Sequence, residues 1–170
     1  RVVITGMGAI TPLGSTVDEY WEGLVSGRSG VGPLTQFDTT QYDTKIAGEC
    51  RNFDPTRWIE AKACKRIDRF AQFALAGAID AVRDSGIDLG AMDLFRVGVI
   101  IGSGIGGIFE LQTQYLRLIQ KGPSKISAFT IPKLMVNAGS GNIAIHFGTR
   151  GPSSAVATAC ASASNAMADA

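Results

Sequence analysis

Three short apolar runs, each followed by a helix-like stretch, set the strongest limit on what this chain can fold into. They are Arg1-Val-Val-Ile4, Arg96-Val-Gly-Val-Ile-Ile101 and Ser153-Ser-Ala-Val-Ala-Thr-Ala159. Runs of this kind, bounded by turn signals, read as strands buried on both faces. Between them the apolar spacing becomes helical. Thr16 and Glu19 form a capping box, and Val17, Trp21, Leu24 and Val25 then fall on one helical face. A second helix is expected over residues 61–84, with Ile67, Phe70, Ala74, Ala78 and Ala81 on one face. A third carries Ile108, Leu111, Tyr115, Leu118 and Ile119, Pro132 opens a fourth that ends near Gly148, and a last begins just after Cys160. Residues 28–60 are rich in breakers and hold one short strand candidate, Lys45 to Glu49. Strands separated by helices imply an α/β fold, a mostly parallel sheet covered by helices on both faces.

Composition narrows the function. The chain has 170 residues, 45% of them hydrophobic and 18% charged, enough to build a core. Sixteen basic against fifteen acidic residues leave a net charge of +1, which argues against nucleic acid or a membrane surface as the partner. No stretch approaches the roughly 18 consecutive apolar residues of a membrane span, and Thr5, Gly6 and Gly8 interrupt the first apolar run too early for a signal peptide. Cys50, Cys64 and Cys160 have no metal-ligand spacing, and His146 is the one histidine, so no metal site is expected. An odd number of cysteines suits a reducing compartment. The absence of an initial methionine and the small-residue helical run at Ala170 read as a piece of a longer chain. Fourteen of the fifteen acids lie at or before Glu110; Arg117, Lys121, Lys125, Lys133 and Arg150 stand between it and Asp169. That is either a segment rich in buried surface or a face for an acidic partner.

Gly102-Ser-Gly104-Ile-Gly106-Gly107 fits the dinucleotide pattern GxGxxG between a strand and a helix. The acid that would bind a ribose about twenty residues later is missing, since no acid occurs from Leu111 to Ala168. Two readings stand: an NADP-binding module, or a tight strand-to-helix turn that needs close backbone approach.

Thr158-Ala-Cys160-Ala-Ser162 sits where a small-residue strand meets a helix. A helix N-terminus favours thiolate, the nucleophilic form of cysteine. The small neighbours Ala159, Ala161, Ser162, Ala163 and Ser164 leave room for a bulky acyl group to reach sulfur. A buried, inert cysteine is the alternative, and it is the reading for Cys50 and Cys64.

The chain resembles the N-terminal half of β-ketoacyl-acyl-carrier-protein synthases of the synthase II type, which have a thiolase-like fold. The resemblance runs over residues 1–170 as one domain. It rests on VVITGMGAITPLG at the start, SGRSGV from Ser26, FDTTQY from Phe37, IGSGIGG from Ile101, KIS from Lys125 and RGPSSAVATACAS from Arg150. It implies a condensing enzyme without a cofactor, in the cytoplasm or an organelle stroma or matrix. Cys160 would be the acyl-accepting nucleophile, its backbone amide one donor of the oxyanion hole. Ile105 would lie at the acyl pocket, and Lys62, Lys65 and Arg66, spaced as one helical face, would dock the acidic acyl carrier protein. The strand 153–159 would pair across the two-fold axis of a homodimer. Decarboxylation would fall to two histidines and a lysine of the C-terminal half; His146 matches neither and reads as structural. The chain departs from many relatives at Asn165, a histidine there, at Ala163, a glycine, and at Thr130, an aromatic beside the acyl pocket. These departures leave chain-length preference and subfamily open, the ketosynthases of polyketide synthesis included.

Overall fold

The computed structural model describes residues 1–170. The chain forms two compact units, Arg1–Asp54 with Gly77–Gly86, and Pro55–Ala76 with Ile87–Ala170.

In the first unit, helix α1 (Val17–Val25) starts at the expected cap: Glu19 N donates to Thr16 Oγ1 at 3.2 Å, and the Glu19 carboxylate accepts from Ser15 N at 2.7 Å. The chain leaves the helix through Gly27 at φ 67°. Strands β1 (Val31–Pro33) and β2 (Ile46–Gly48) pair antiparallel, with β2 inside the expected segment. Glu49 closes this hairpin. Its carboxylate accepts from Thr35 N at 3.0 Å, Thr35 Oγ1 at 2.9 Å, Gln36 N at 3.3 Å and Arg51 Nε at 3.0 Å. These bonds, the Thr35 amide first, hold the carboxyl at about 2, well below its ordinary value.

The apolar run at residues 1–4 forms no strand. Val2 and Ile4 are 95% and 80% exposed, and no sheet includes them. An apolar run states a preference for burial, whereas a strand needs a neighbour for its backbone groups, and no strand in the structure lies beside this one. The apolar face of α1 is likewise open, with Trp21, Leu24 and Val25 exposed.

The second unit holds the parallel pair β3 (Val99–Gly102) and β4 (Ser153–Val156), registered Val99 to Ser153 and Gly102 to Val156. β3 starts later than the sequence suggests because Asp93 caps a 3-10 turn at Leu94–Arg96, its side chain accepting from Phe95 N at 3.1 Å. The parallel crossover carries α4 (Ile108–Lys121), α5 (Thr130–Leu134) and α6 (Ala138–Phe147), and α7 (Ser162–Asp169) follows β4. A Cβ on Gly139 of α6 would stand 3.4 Å from Ile101 Cγ2, and one on Gly102 would stand 2.4 Å from Ser162 C at the start of α7. Successive strand residues face opposite sides, so α6 and α7 cover opposite faces of the pair, as expected. Ile67, Ala71, Leu75, Val99, Ala138, Ile143 and Ala166 are buried here.

Two expected helices are each divided. Residues 61–84 form α2 (Ala61–Cys64) and α3 (Arg69–Ser85). At the break, Asp68 Oδ1 accepts from Phe70 N at 3.2 Å, and Gln72 Nε2 donates to the carbonyls of Cys64 and Ile67 at 3.0 and 3.1 Å. Side chains thus take over backbone bonding that a continuous helix would use. Beyond Pro132, which lies in the first turn of α5 where no intrahelical donor is needed, the extended backbone of Met135 (ψ 136°) separates α5 from α6. α6 ends at Gly148 in the left-handed region, as the glycine suggested. No helix is long and apolar enough to cross a membrane.

Candidate active site

β4 delivers the chain to Cys160 through a bent turn. Ala159 stands at φ 51°, the one non-glycine residue with positive φ. A side chain there is strained, and such strain persists only where the surroundings enforce it. The enforcing group is Ser162, 3% exposed. Its Oγ donates to the Ala159 carbonyl at 2.6 Å and accepts from Thr158 N at 2.9 Å. Asn165 Nδ2 donates to Thr158 Oγ1 at 2.8 Å, which ties the end of the strand to the next turn of α7.

Cys160 therefore sits in a 3-10 turn (Ala159–Ala161) two residues before the first residue of α7, and its side chain is exposed. In this turn Thr158 N donates to Ser162 Oγ, Ala161 N to the Thr158 carbonyl and Ser162 N to the Ala159 carbonyl. A sharp strand-to-helix turn presents a nucleophile with its own amide directed to one place, the arrangement an acyl-transfer site needs. Cys64 differs: its Sγ contacts the Ile59 carbonyl at 3.5 Å. His146 lies in the last turn of α6, its ring edge-on to Phe147 at 4.7 Å between centroids.

The glycines of the 102–107 turn make close contacts with the protein itself. Cβ atoms on Gly102, Gly106 and Gly107 would stand 2.4 Å from Ser162 C, 2.7 Å from Leu134 O and 2.4 Å from Lys133 O. One on Gly104 would stand 3.4 Å from Ala159 Cα. The space that a Rossmann turn leaves for a diphosphate is filled by protein backbone, which favours the close-approach reading over the dinucleotide one. The same contacts seat this turn against residues 159–162. Ile105, next to Gly104, is 63% exposed.

The basic residues do not form one face of a long helix, because α2 ends at Cys64. Lys65 is its C-cap, and Arg66 follows in a turn whose amide donates to the Ala63 carbonyl at 2.9 Å. Lys62 and Arg66 nevertheless line one groove of about 620 Å³, whose apolar walls include Phe129, Pro132, Met135 and Ile145. The Arg66 guanidinium lies 5.3 Å from the centre of the Phe129 ring. Lys65 is exposed beside them. The sequence reading missed the turn-forming roles of Ser162 and Asn165. A hydroxyl two residues beyond Cys160, at the first position of a helix, was the available signal.

The profile of the family described as "Beta-ketoacyl synthase, N-terminal domain" matches residues 1–170. The 3-oxoacyl-(acyl-carrier-protein) synthase 2 of Synechocystis sp. is 44% identical over 170 residues, which cover 100% of this chain and 41% of that protein. The protein of the same name from Staphylococcus aureus (strain COL) is 40% identical over 170 residues, with the same coverage of 100% and 41%. Among solved structures, the ishigamide ketosynthase/chain length factor matches with a TM-score of 0.83 at 31% identity, covering 93% of this chain and 40% of that one. A beta-ketoacyl synthase from Burkholderia phymatum STM815 matches with a TM-score of 0.81 at 26% identity, covering 100% and 42%. The fold is the thiolase-like α/β fold of these ketosynthases, and the chain spans about two fifths of their length.

Proposed function

Because the chain belongs to the β-ketoacyl synthase family and matches its N-terminal domain throughout, we propose that it is the nucleophile-bearing half of a condensing enzyme that lengthens acyl chains by two carbons. The observation that carries this reading is Cys160 on its strained strand-to-helix turn. Cys160 Sγ attacks the thioester of an acyl-loaded carrier protein. The tetrahedral oxyanion is met by the Cys160 amide, and the carrier thiol leaves. Malonyl-carrier protein then loses carbon dioxide. The resulting carbanion attacks the Cys160 thioester, forming the new carbon–carbon bond and releasing the cysteine. Donors for the decarboxylation come from the part of the enzyme beyond this chain.

In this reading the acidic carrier protein meets Lys62, Lys65 and Arg66, and Ile105 bounds the acyl channel. The segment 153–159, whose first four residues form β4, pairs with a second copy to give a homodimer. The enzyme works where thiols stay reduced, in the cytoplasm or an organelle matrix. A ketosynthase of polyketide synthesis is the second reading; the ishigamide ketosynthase/chain length factor is 31% identical. The higher identity to the synthase 2 proteins favours fatty-acid synthesis.

The test uses the complete synthase with acyl- and malonyl-loaded carrier proteins. The expected product is a 3-oxoacyl carrier protein two carbons longer, and Cys160→Ala abolishes it. Product formation that survives Cys160→Ala overturns the reading.

A further inference from the structure

A buried ion pair joins the first turn of α4 to α5, and the condensation described above does not use it. Lys133 Nζ donates to Glu110 Oε2 at 2.5 Å, and the two side chains are 17% and 6% exposed. Glu110 is fixed in turn. Its Oε1 accepts from Gln114 Nε2 at 2.8 Å, and its amide donates to Asp68 Oδ2 at 3.2 Å. Gln114 Oε1 accepts from Ser127 N at 3.0 Å, so the cluster also holds the segment that enters α5. Backbone reinforces the tie, since Gly107 N donates to the Leu134 carbonyl at 3.0 Å.

A buried pair of this kind adds little net stability over a well-packed apolar pair, yet it dictates where its two elements stand. The glycine turn that leads into α4 lies against residues 159–162, next to the nucleophile, and packs on α5, where Cβ atoms on Gly106 and Gly107 would meet Leu134 O and Lys133 O at 2.7 and 2.4 Å. We infer that Glu110 and Lys133 are positioning residues that hold this turn, and with it the exposed Ile105, in place, and thereby set the length of acyl chain the enzyme accepts. The inference rests on the reading of Ile105 as a wall of the acyl channel. Neither charge touches the acyl group; both act through the backbones of α4 and α5.

The experiment measures kcat/KM of the complete synthase for a short and a long saturated acyl-carrier substrate, together with the melting temperature of each variant. Glu110→Leu/Lys133→Met removes both charges without leaving one buried alone, and it is expected to fold. The long-to-short ratio should move by about tenfold, the scale on which a pocket distinguishes a methylene or more. Lys133→Arg, which keeps the pair, should stay near the parent ratio. Should the double variant not fold, Glu110→Asp, which keeps the charge and shortens the tie by one methylene, is read in its place. Ile105→Ala separates the two claims. If it shifts the ratio while the folded pair variant leaves it at the parent value, the inference is overturned and the channel reading stands. If Ile105→Ala leaves the ratio unmoved, the channel reading falls and takes the inference with it.

Discussion

Ala159 at φ 51° and Ser162 beneath it form a unit: a backbone position disfavoured for any side chain is held by one hydroxyl that both donates and accepts. Cys160 owes its exposed position to that arrangement. Glu49 shows the same economy away from the site, one carboxylate taking bonds from Thr35, Gln36 and Arg51 to lock the β1–β2 hairpin. Its pKa is held from 4.5 down to about 2. A carboxyl lowered by folding stabilises the native state above its ordinary value, and that contribution is lost as pH falls through the native value. Denaturant midpoints should therefore fall as pH drops from about 4.5 toward 2, in proportion to this group's share. Glu49→Gln should flatten that part of the profile; an unchanged slope in the variant would mean that other carboxyls carry it.

At the scale of elements, Gly102 matters more than its motif suggested. It is the point where β3 and the start of α7 touch backbone to backbone, so Gly102→Ala should destabilise the protein by about 1–3 kcal/mol, as overpacking does. It should also slow alkylation of Cys160, because the turn is displaced; thermal melts and timed labelling check both. The strands β3 and β4, the α1 cap and the helix ends at Gly27 and Gly148 were legible in the sequence because each is signalled by neighbouring residues. The divided helices were not. Apolar residues continue in helical register through Ile67 and Phe70, and the break is made by Asp68 and Gln72, whose bonds carry no periodic signature. The Glu110–Lys133 pair links positions 23 residues apart, beyond any local pattern. Residues 1–4 show the opposite limit, since an apolar run records burial without naming the strand it would lie against. Of the three basic residues, Lys62 and Arg66 meet at one groove wall across a turn instead of along one helical face, and Lys65 lies outside that lining. Reversing charge at Lys65 and Arg66 in the complete synthase should raise KM for carrier-bound substrate at low salt and converge on the parent at high salt. Turnover of a small acyl thioester without carrier should hold steady, and equal damage to both substrates would assign the patch to folding.

For the whole molecule, large apolar side chains stay exposed on each unit: Val2, Ile4 and Trp21 on the first, and Phe109, Ile119, Ile145 and Met167 on the second. Surfaces of this extent are ordinarily covered by protein, consistent with a chain that spans two fifths of its relatives' length. Under the proposed function, the acyl-accepting step belongs to this half and the decarboxylation chemistry lies outside it. The direct test of that division is to incubate the complete synthase with an acyl-loaded carrier protein, without malonyl substrate, and map the adduct by peptide mass spectrometry. One acyl group per chain, on the peptide containing Cys160 and absent from Cys160→Ala, is the predicted result. An acyl group carried on Cys50 or Cys64, or no adduct at all from an enzyme that still condenses, would contradict it.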